Sequence, residues 1–277
     1  MSEITHLSLF SGIGGLDLAA ERAGFRTVGQ CEWADYPRAV LEKHWPKLPR
    51  WRDIRTLTKE SFYEQTGLES VTVLSGGFPC QPFSTAGKRR GKEDDRYLWP
   101  EFIRVIRELR PAWVIGENVP GIINLALDTV LADLEAEGYE VKCFLIPACG
   151  VDAPHKRERI VIVAHANSKG QQRAQQYRTP DARGQAEPHR PVGKQGCALA
   201  DYNSTMRSKA MQTWGGGSGF SNIVWWPSEP NVGRVAHGVP NRVDRLKCLG
   251  NAVVPQQFYP IFEAIARVEE MTWVNPE

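Results

Sequence analysis

No two cysteines in this sequence are spaced as Cys-x-x-Cys, and the six present (Cys31, Cys80, Cys143, Cys149, Cys197 and Cys248) are scattered along the chain. A zinc site or a disulfide framework is therefore not expected, and the default is a reduced, cytoplasmic protein without a metal. Long apolar runs are missing too. None approaches the ~20 residues needed to cross a membrane, and no basic stretch followed by an apolar one opens the chain, so neither a membrane span nor a secretory signal is expected. Charge of one sign is also lacking: 34 Lys and Arg face 32 Asp and Glu, a formal net charge of +2. A wholesale polyanion-binding coat is excluded, and any nucleic-acid surface must come from local clustering.

What is present is a chain of 277 residues that is 42% hydrophobic and 24% charged. That suits one sizeable α/β domain plus a small appendage. Short β-like runs alternate with helical ones as far as residue 165. Strands are expected at 5–10, 27–31, 71–75, 112–116, 140–146 and 159–164. Helices are expected at 16–22, 36–44, 98–109 and 125–137, the last closed by Gly138. This alternation predicts a doubly wound, mostly parallel sheet, with ligands bound beyond the C-terminal strand ends. From about residue 166 the composition changes, and 168–198 is rich in Gln, Arg, Gly, Pro and Lys with few aliphatics. The expected division is an α/β domain over 1–165, a partly mobile region over 166–240, and a segment over 241–277 that returns to the first domain with a helix at about 256–269.

Two groups of residues stand at the predicted strand ends. The first begins with Phe10-Ser11-Gly12-Ile13-Gly14-Gly15, a glycine turn between a strand and a helix, where backbone can approach a ligand closely. Its spacing is not the dinucleotide pattern, and a tight turn is the plain alternative. Glu32 at the end of the second strand is placed to accept from ribose hydroxyls. Trp33 offers a flat face to an adenine, and Asp53-Ile54 ends a third segment where a carboxylate can accept from an amino group. Solvated acids and a core indole are the ordinary readings of these residues. Their succession after three segments favours an adenosine pocket.

The second group is built around Cys80, in the run Gly-Gly-Phe-Pro-Cys-Gln-Pro-Phe-Ser. A buried structural cysteine normally lies within an apolar strand or helix. This one sits between Pro79 and Pro82, in stiff backbone that presents a side chain at fixed geometry. As a nucleophile it needs a lowered pKa, for which Lys88, Arg157 and Arg159 are the candidate cations. Glu117, in Glu117-Asn118-Val119-Pro120 after the next strand, is placed to face Cys80 and to hold a proton if burial raises its pKa.

Phe10–Gly15, Glu32-Trp33, Asp53, Pro79-Cys80-Gln81, Glu117-Asn118-Val119, Arg157-Glu158-Arg159 and Gly250-Asn251-Ala252-Val253 resemble, in order, the motifs of the DNA cytosine-5 methyltransferases, as a compact bacterial or phage-type member. The resemblance covers residues 5–165 and about 242–265. It implies the class I S-adenosylmethionine-dependent methyltransferase fold with a small irregular target-recognition region, and S-adenosylmethionine as cofactor. The partner it implies is double-stranded DNA, met by a monomer. It implies Cys80 as the nucleophile on carbon 6 of a flipped-out cytosine and Glu117 as the group on ring nitrogen 3. Arg157 and Arg159 match the element that contacts the flipped nucleotide, although His155 stands where the family usually has Gln. Phe10, Ser11, Gly12, Gly14, Gly15, Glu32, Trp33, Asp53, Ile54, Pro79, Leu98, Asn251 and Val253 are the expected cofactor contacts. Gln81, Ser84, Lys88, Arg89 and Arg90 are expected on DNA, the last four within a basic, two-glycine segment (84–92) that reads as a closing lid. Arg242 and Arg245 are expected to touch phosphate or to replace support that the family normally carries before its last motif.

Three other readings stay open at this point. The tRNA branch of the family also carries Pro-Cys-Gln, but its Cys-Phe-Thr element is not found here. A catalytically inactive DNA-binding homologue would not need Cys80, Glu117 and Arg159 together. A nucleotide-cofactor oxidoreductase is disfavoured by the glycine spacing and by the setting of Cys80. Nothing in residues 166–240 discloses a recognised DNA sequence.

Overall fold

The computed structural model describes residues 3–79, 97–166 and 240–274, the side chains of 272–274 excepted. Seven described strands form one sheet: β1 (Thr5–Leu9), β2 (Arg26–Cys31), β3 (Arg50–Trp51), β4 (Val73–Gly76), β5 (Trp113–Asn118), β6 (Tyr139–Ile146) and β7 (Arg159–Ala166), in the spatial order β3-β2-β1-β4-β5-β7-β6. The pairs β2/β3, β1/β2, β1/β4 and β4/β5 are parallel, whereas β7 runs antiparallel to both β5 and β6. The described helices are α1 (Gly15–Arg22), α2 (Asp35–His44), α3 (Lys59–Thr66), α4 (Trp99–Leu109), α5 (Leu127–Ala136), α6 (Arg242–Asn251) and α7 (Pro255–Val274). The sheet is thus α/β and mostly parallel, as expected. None of the described helices is long and apolar enough to cross a membrane.

Strand alternation feeds two apolar layers, because successive side chains leave opposite faces of a sheet. Leu7, Leu9, Leu74, Val114, Ile160 and Ile162 face α3, α4 and α5, with Trp99, Phe102 and Ile106 of α4 at the centre. Val73, Ile115 and Val161 face the other way, onto α1 and α7, where Phe258, Phe262 and Ile265 are buried. The C-terminal helix is therefore half of one core layer. It begins at Pro255, a residue suited to the first helical turn.

Sequence periodicity misses two helices. In α3 only Phe62 is buried, and the cue is local: Thr58 and Ser61 cap one another's backbone, and Gly67 closes the helix at φ 72°. In α6 Val243, Leu246 and Leu249 stand at three-residue spacing, a run too short and too broken by charge to mark a helix by itself, and no residue of the helix is buried. The strand expected at 71–75 is displaced to Val73–Gly76, so that it ends within the Gly76-Gly77 pair.

Polar side chains lie inside the sheet layers. His6 is fully buried, with Nε2 2.7 Å from Ser75 Oγ, Nδ1 3.1 Å from Thr27 Oγ1 and its ring edge-on to Phe262. Burial pushes its pKa down to about 3. Asp17 accepts from Ser8 Oγ at 2.9 Å and from Gln30 Nε2 at 2.8 Å, and burial pushes its pKa up to about 6.

These shifts act oppositely on stability. His6 stays neutral in the fold while an unfolded histidine charges, so its contribution is lost as pH falls from the ordinary histidine value of 6.5 toward 3. Asp17 keeps its proton to higher pH in the fold than out of it, so its contribution is lost as pH rises from 3.8 through about 6. Between about pH 4 and 6 the two slopes offset each other, at up to about 1.4 kcal/mol per pH unit each. In Asp17→Asn the acid-side loss of stability is predicted to steepen by about that amount over this window. Urea unfolding at a series of pH values measures it, and parallel pH profiles for parent and variant would contradict the assignment.

Candidate active site

The C-terminal ends of β1, β2, β4 and β5 open into one cleft of about 1500 Å³. On its β1–β2 side, the turn after β1 needs left-handed backbone at Phe10 (φ 51°), Gly12 (φ 56°) and Gly14 (φ 86°). Ser11 fixes the turn by donating its amide to Cys31 O at 3.0 Å and its hydroxyl to Ser8 O at 3.0 Å. Glu32 closes it, since its carboxylate accepts from Gly12 N at 2.8 Å and Ala34 N at 2.9 Å. The two later glycines serve packing. A Cβ at Gly14 would lie 2.5 Å from the Trp45 ring, and one at Gly15 would lie 2.7 Å from Val253 Cγ2. Val253 thereby brings the returning C-terminal segment onto the start of α1.

Further out, Trp33 is 62% exposed. The Arg52 guanidinium lies 5.7 Å from its ring centroid and pairs with Asp35 at 2.6 Å. Asp53 accepts from Arg55 N at 3.0 Å and so caps the 3-10 turn Ile54–Thr56. Arg104 of α4 holds that turn by donating to Ile54 O at 2.8 Å and Leu57 O at 3.1 Å.

The other half of the cleft is built where β4 and β5 end. Gly76 lies against Leu9 O and Phe102, at 2.6 and 2.7 Å from an added Cβ. Phe78 then packs on Trp99 and Phe102, with ring centroids 4.8 and 5.5 Å away. The Asn118 amide donates to Phe78 O at 2.9 Å while its Oδ1 accepts from Val119 N. The backbone leading to Pro79 is thus tied to the end of β5.

Glu117 is 9% exposed, and its Oε1 lies 2.7 Å from Arg159 Nε across the antiparallel β5/β7 pair. The Nε–H is not aligned on that oxygen, so the contact is a charge pair first. Burial holds the Glu117 carboxyl above the ordinary carboxylate range, against the pull of the Arg159 and Arg157 cations. A Cβ at Gly77 would come within 2.6 Å of Glu117 Oε2, so that glycine makes room for the carboxylate.

The cleft brings together Phe10, Ser11, Gly12, Gly15, Glu32, Trp33, Asp53, Ile54, Pro79, Leu98, Glu117, Arg159, Asn251 and Val253. Gly14 and Arg157 do not line it. The Arg157 guanidinium instead donates to Gly250 O at 2.8 Å and to Ala252 O. Arg242 and Arg245 also stand outside the cleft wall, and Arg245 donates to Pro240 O at 3.1 Å. His155 is half-buried, and its Nδ1 has no partner among the described residues. Cys80, Gln81, Ser84, Lys88, Arg89, Arg90 and nearly all of the expected recognition region lie outside the described residues.

Sequence reasoning missed Arg52, Phe78 and the side of α6 that carries Asp244, Lys247 and Cys248, all of which line the cleft. Positions 244, 247, 248 and 251 fall on one helical face, a spacing that was available once a helix was assumed. The two described cysteines of the cleft have thiols held above the ordinary range. Burial pushes the Cys31 thiol up to about 12, and burial together with the Glu32 and Asp244 carboxylates pushes Cys248 up as well. Among the described residues no three His, Cys, Asp or Glu side chains are grouped to hold a metal ion.

Residues 4–212 match the family model described as C-5 cytosine-specific DNA methylase. Among curated proteins, the type II methyltransferase M.Sau96I of Staphylococcus aureus is 34% identical over 196 residues, covering 67% of this chain and 43% of that protein. M.Eco47II of Escherichia coli is 37% identical over 172 residues, covering 59% and 40%. The chain thus spans less than half the length of these two relatives. Among solved structures, a candidate DNA modification methyltransferase encoded within an E. coli prophage superposes with a TM-score of 0.53 at 26% identity, covering 60% of this chain and 48% of that one. The S. pombe Dnmt2 methyltransferase superposes at 0.51 with 24% identity, over 61% and 52%, a likeness of fold.

The charge pair generates a direct prediction. In Arg159→Met the cation nearest Glu117 is gone while β5 keeps the carboxyl buried, so Glu117 should titrate at higher pH than in the parent. Carbon-detected NMR titration, with the resonance identified by its absence in Glu117→Gln, measures this. An unchanged or lower pKa would contradict the assigned electrostatics.

Proposed function

The chain belongs to the family of C-5 cytosine-specific DNA methylases, and on that premise we propose that it transfers a methyl group from S-adenosylmethionine to carbon 5 of a flipped-out cytosine in duplex DNA, through a covalent adduct with Cys80. The observation that carries this reading is the buried Glu117–Arg159 pair, which shares a cleft with the Glu32-clamped glycine turn and with Pro79, the residue before Cys80. The reading also includes action as a monomer in the cytoplasm, and a recognition region over 166–240 between the catalytic domain and the returning segment.

The cleft has the donor set that an adenosine asks for. Glu32 and Asp53 offer carboxylate acceptors to hydroxyl and amino groups, Trp33 offers an exposed ring face, and a Cβ added at Gly12 would meet nothing within 4 Å. Those residues, with Phe10, Leu98, Asn251 and Val253, would hold the cofactor. When bound, S-adenosylmethionine supplies an electrophilic methyl group on a sulfonium.

The residues of the chain do the rest. A cytosine inside a duplex is out of reach, so flipping costs roughly a few kcal/mol before chemistry starts. The Cys80 thiolate adds to carbon 6, forming an S–C bond. The ring electrons move toward nitrogen 3, where Glu117 meets the charge with a hydrogen bond or a proton. A carboxyl kept above its ordinary pKa by burial retains a proton for that purpose nearer neutral pH. Arg159 holds the Glu117 carboxyl from the β7 side and stands beside the nucleotide. Carbon 5 becomes nucleophilic and takes the methyl group as the sulfonium S–CH3 bond breaks and its electron pair returns to sulfur, leaving a neutral thioether; carbon 5 then gives its proton to water as the S–C bond to Cys80 breaks, the thiolate leaves and the ring regains aromaticity. Gln81, Ser84, Lys88, Arg89 and Arg90 would approach the DNA around the flipped base.

Labelled S-adenosylmethionine incubated with duplex DNA or with tRNA tests the reading. Label is expected in DNA, falling to background in Cys80→Ser and by about 10²–10⁴-fold in Glu117→Gln. Label in tRNA alone, or undiminished label with Cys80→Ser, would contradict it.

A further inference from the structure

We infer that Gln257 is a positioning residue for the Glu117–Arg159 pair, acting through Arg157, an inference that rests on the function just proposed. Gln257 lies in the first turn of α7 and is fully buried. Its Nε2 donates to two backbone carbonyls, Ile146 O at 2.9 Å and Arg157 O at 3.0 Å. Ile146 is the last residue of β6 and pairs in register with Arg159, the first residue of β7. One side-chain amide therefore closes the connection between these strands at the point where Arg159 is set.

Arg157 needs such fixing. Its φ is 29°, a left-handed value that a long side chain does not adopt without support. It is held from two directions. Its carbonyl accepts from Gln257, and its guanidinium donates to Gly250 O and Ala252 O, which belong to the segment carrying Asn251 and Val253 into the cleft. Two residues on, Arg159 reaches Glu117. Burial raises the Glu117 pKa, and the Arg157 and Arg159 cations both oppose it, so displacement of this backbone changes the electrostatics of the pair.

The amide is an odd choice for packing alone. Among the described residues Gln257 Oε1 is buried without a hydrogen-bond partner, a penalty that an apolar side chain of the same length avoids. Its donor side is the feature with a use. Gln257 touches neither the cleft nor, in this account, the reacting atoms.

Gln257→Met keeps length and burial and removes the donor. A drop in kcat of about tenfold to a hundredfold is expected from misplacement of the pair. In the same variant Glu117 should titrate at higher pH, because its cations move away while β5 keeps it buried. A merely structural role would lower Tm without moving that pKa in the protein that remains folded. An unshifted or lowered Glu117 pKa, or an unchanged kcat, overturns the inference. Gln257→Leu serves if Gln257→Met does not fold; if neither folds, Gln257 is a fold residue and the inference is overturned. The titration needs neither DNA nor turnover, so an inactive parent would sink the proposed function while leaving this test readable.

Discussion

A carboxyl group at the end of β5, 9% exposed and 2.7 Å from an arginine, is the constraint that the rest of the site depends on. Left unpaired, a buried carboxylate is costly; paired with a cation, it gives up its proton more readily. The fold sets a balance between these. β5 carries Glu117 under cover, antiparallel β7 brings Arg159 across from it, and Gly77 omits the side chain that would collide with its oxygen. Asn118, one residue on, ties the same strand end to the backbone approaching Pro79. The single antiparallel strand of the pair matters here because it points its first residue, Arg159, at the C-terminal end of β5. A parallel strand would present its last residue there instead.

The opposite side of the cleft is clamped by backbone donors. Glu32 accepts from Gly12 and Ala34, Ser11 from the turn binds back to β1 and β2, and Val253 leans on Gly15. The returning segment between α6 and α7 is therefore shared. One face of it meets the glycine turn, and its carbonyls take the Arg157 guanidinium from the base of β7. The two ends of the cleft are joined by these contacts, and α7 secures them by burying Phe258, Phe262 and Ile265 against α1 and the sheet.

Much of the sheet was legible because β4, β5 and β7 carry short runs of Val, Ile and Leu (Val73-Leu74, Val114-Ile115 and Ile160–Val163), and because α4 carries its apolar residues at helical spacing. The reversal of β7 was not legible, since direction depends on which strand edge a segment meets. The helices α3 and α6 escaped because neither buries an apolar face: α3 buries Phe62 alone and is marked by its capping box, and α6 leaves Val243, Leu246 and Leu249 exposed. At the site, residue types and order pointed to Glu32, Asp53, Glu117 and Arg159. The reasons for individual glycines did not show in order alone: Gly14 answers to Trp45 and Gly77 to Glu117, partners 31 and 40 positions away. Arg157 was expected at the base and is found on the carbonyls of Gly250 and Ala252, a contact that depends on where a distant segment returns.

The proposed chemistry turns on a covalent bond between Cys80 and a cytosine ring, and one measurement reaches it most directly. A duplex carrying 5-fluorocytosine at the methylated position, incubated with the protein and S-adenosylmethionine, should stop after methyl transfer, since fluorine does not leave as a proton does. Intact-mass and peptide mass spectrometry should then find the methylated fluorocytosine strand joined to the peptide containing Cys80. A target that is methylated in its ordinary form yet yields no adduct, or an adduct on a different residue, would contradict the account.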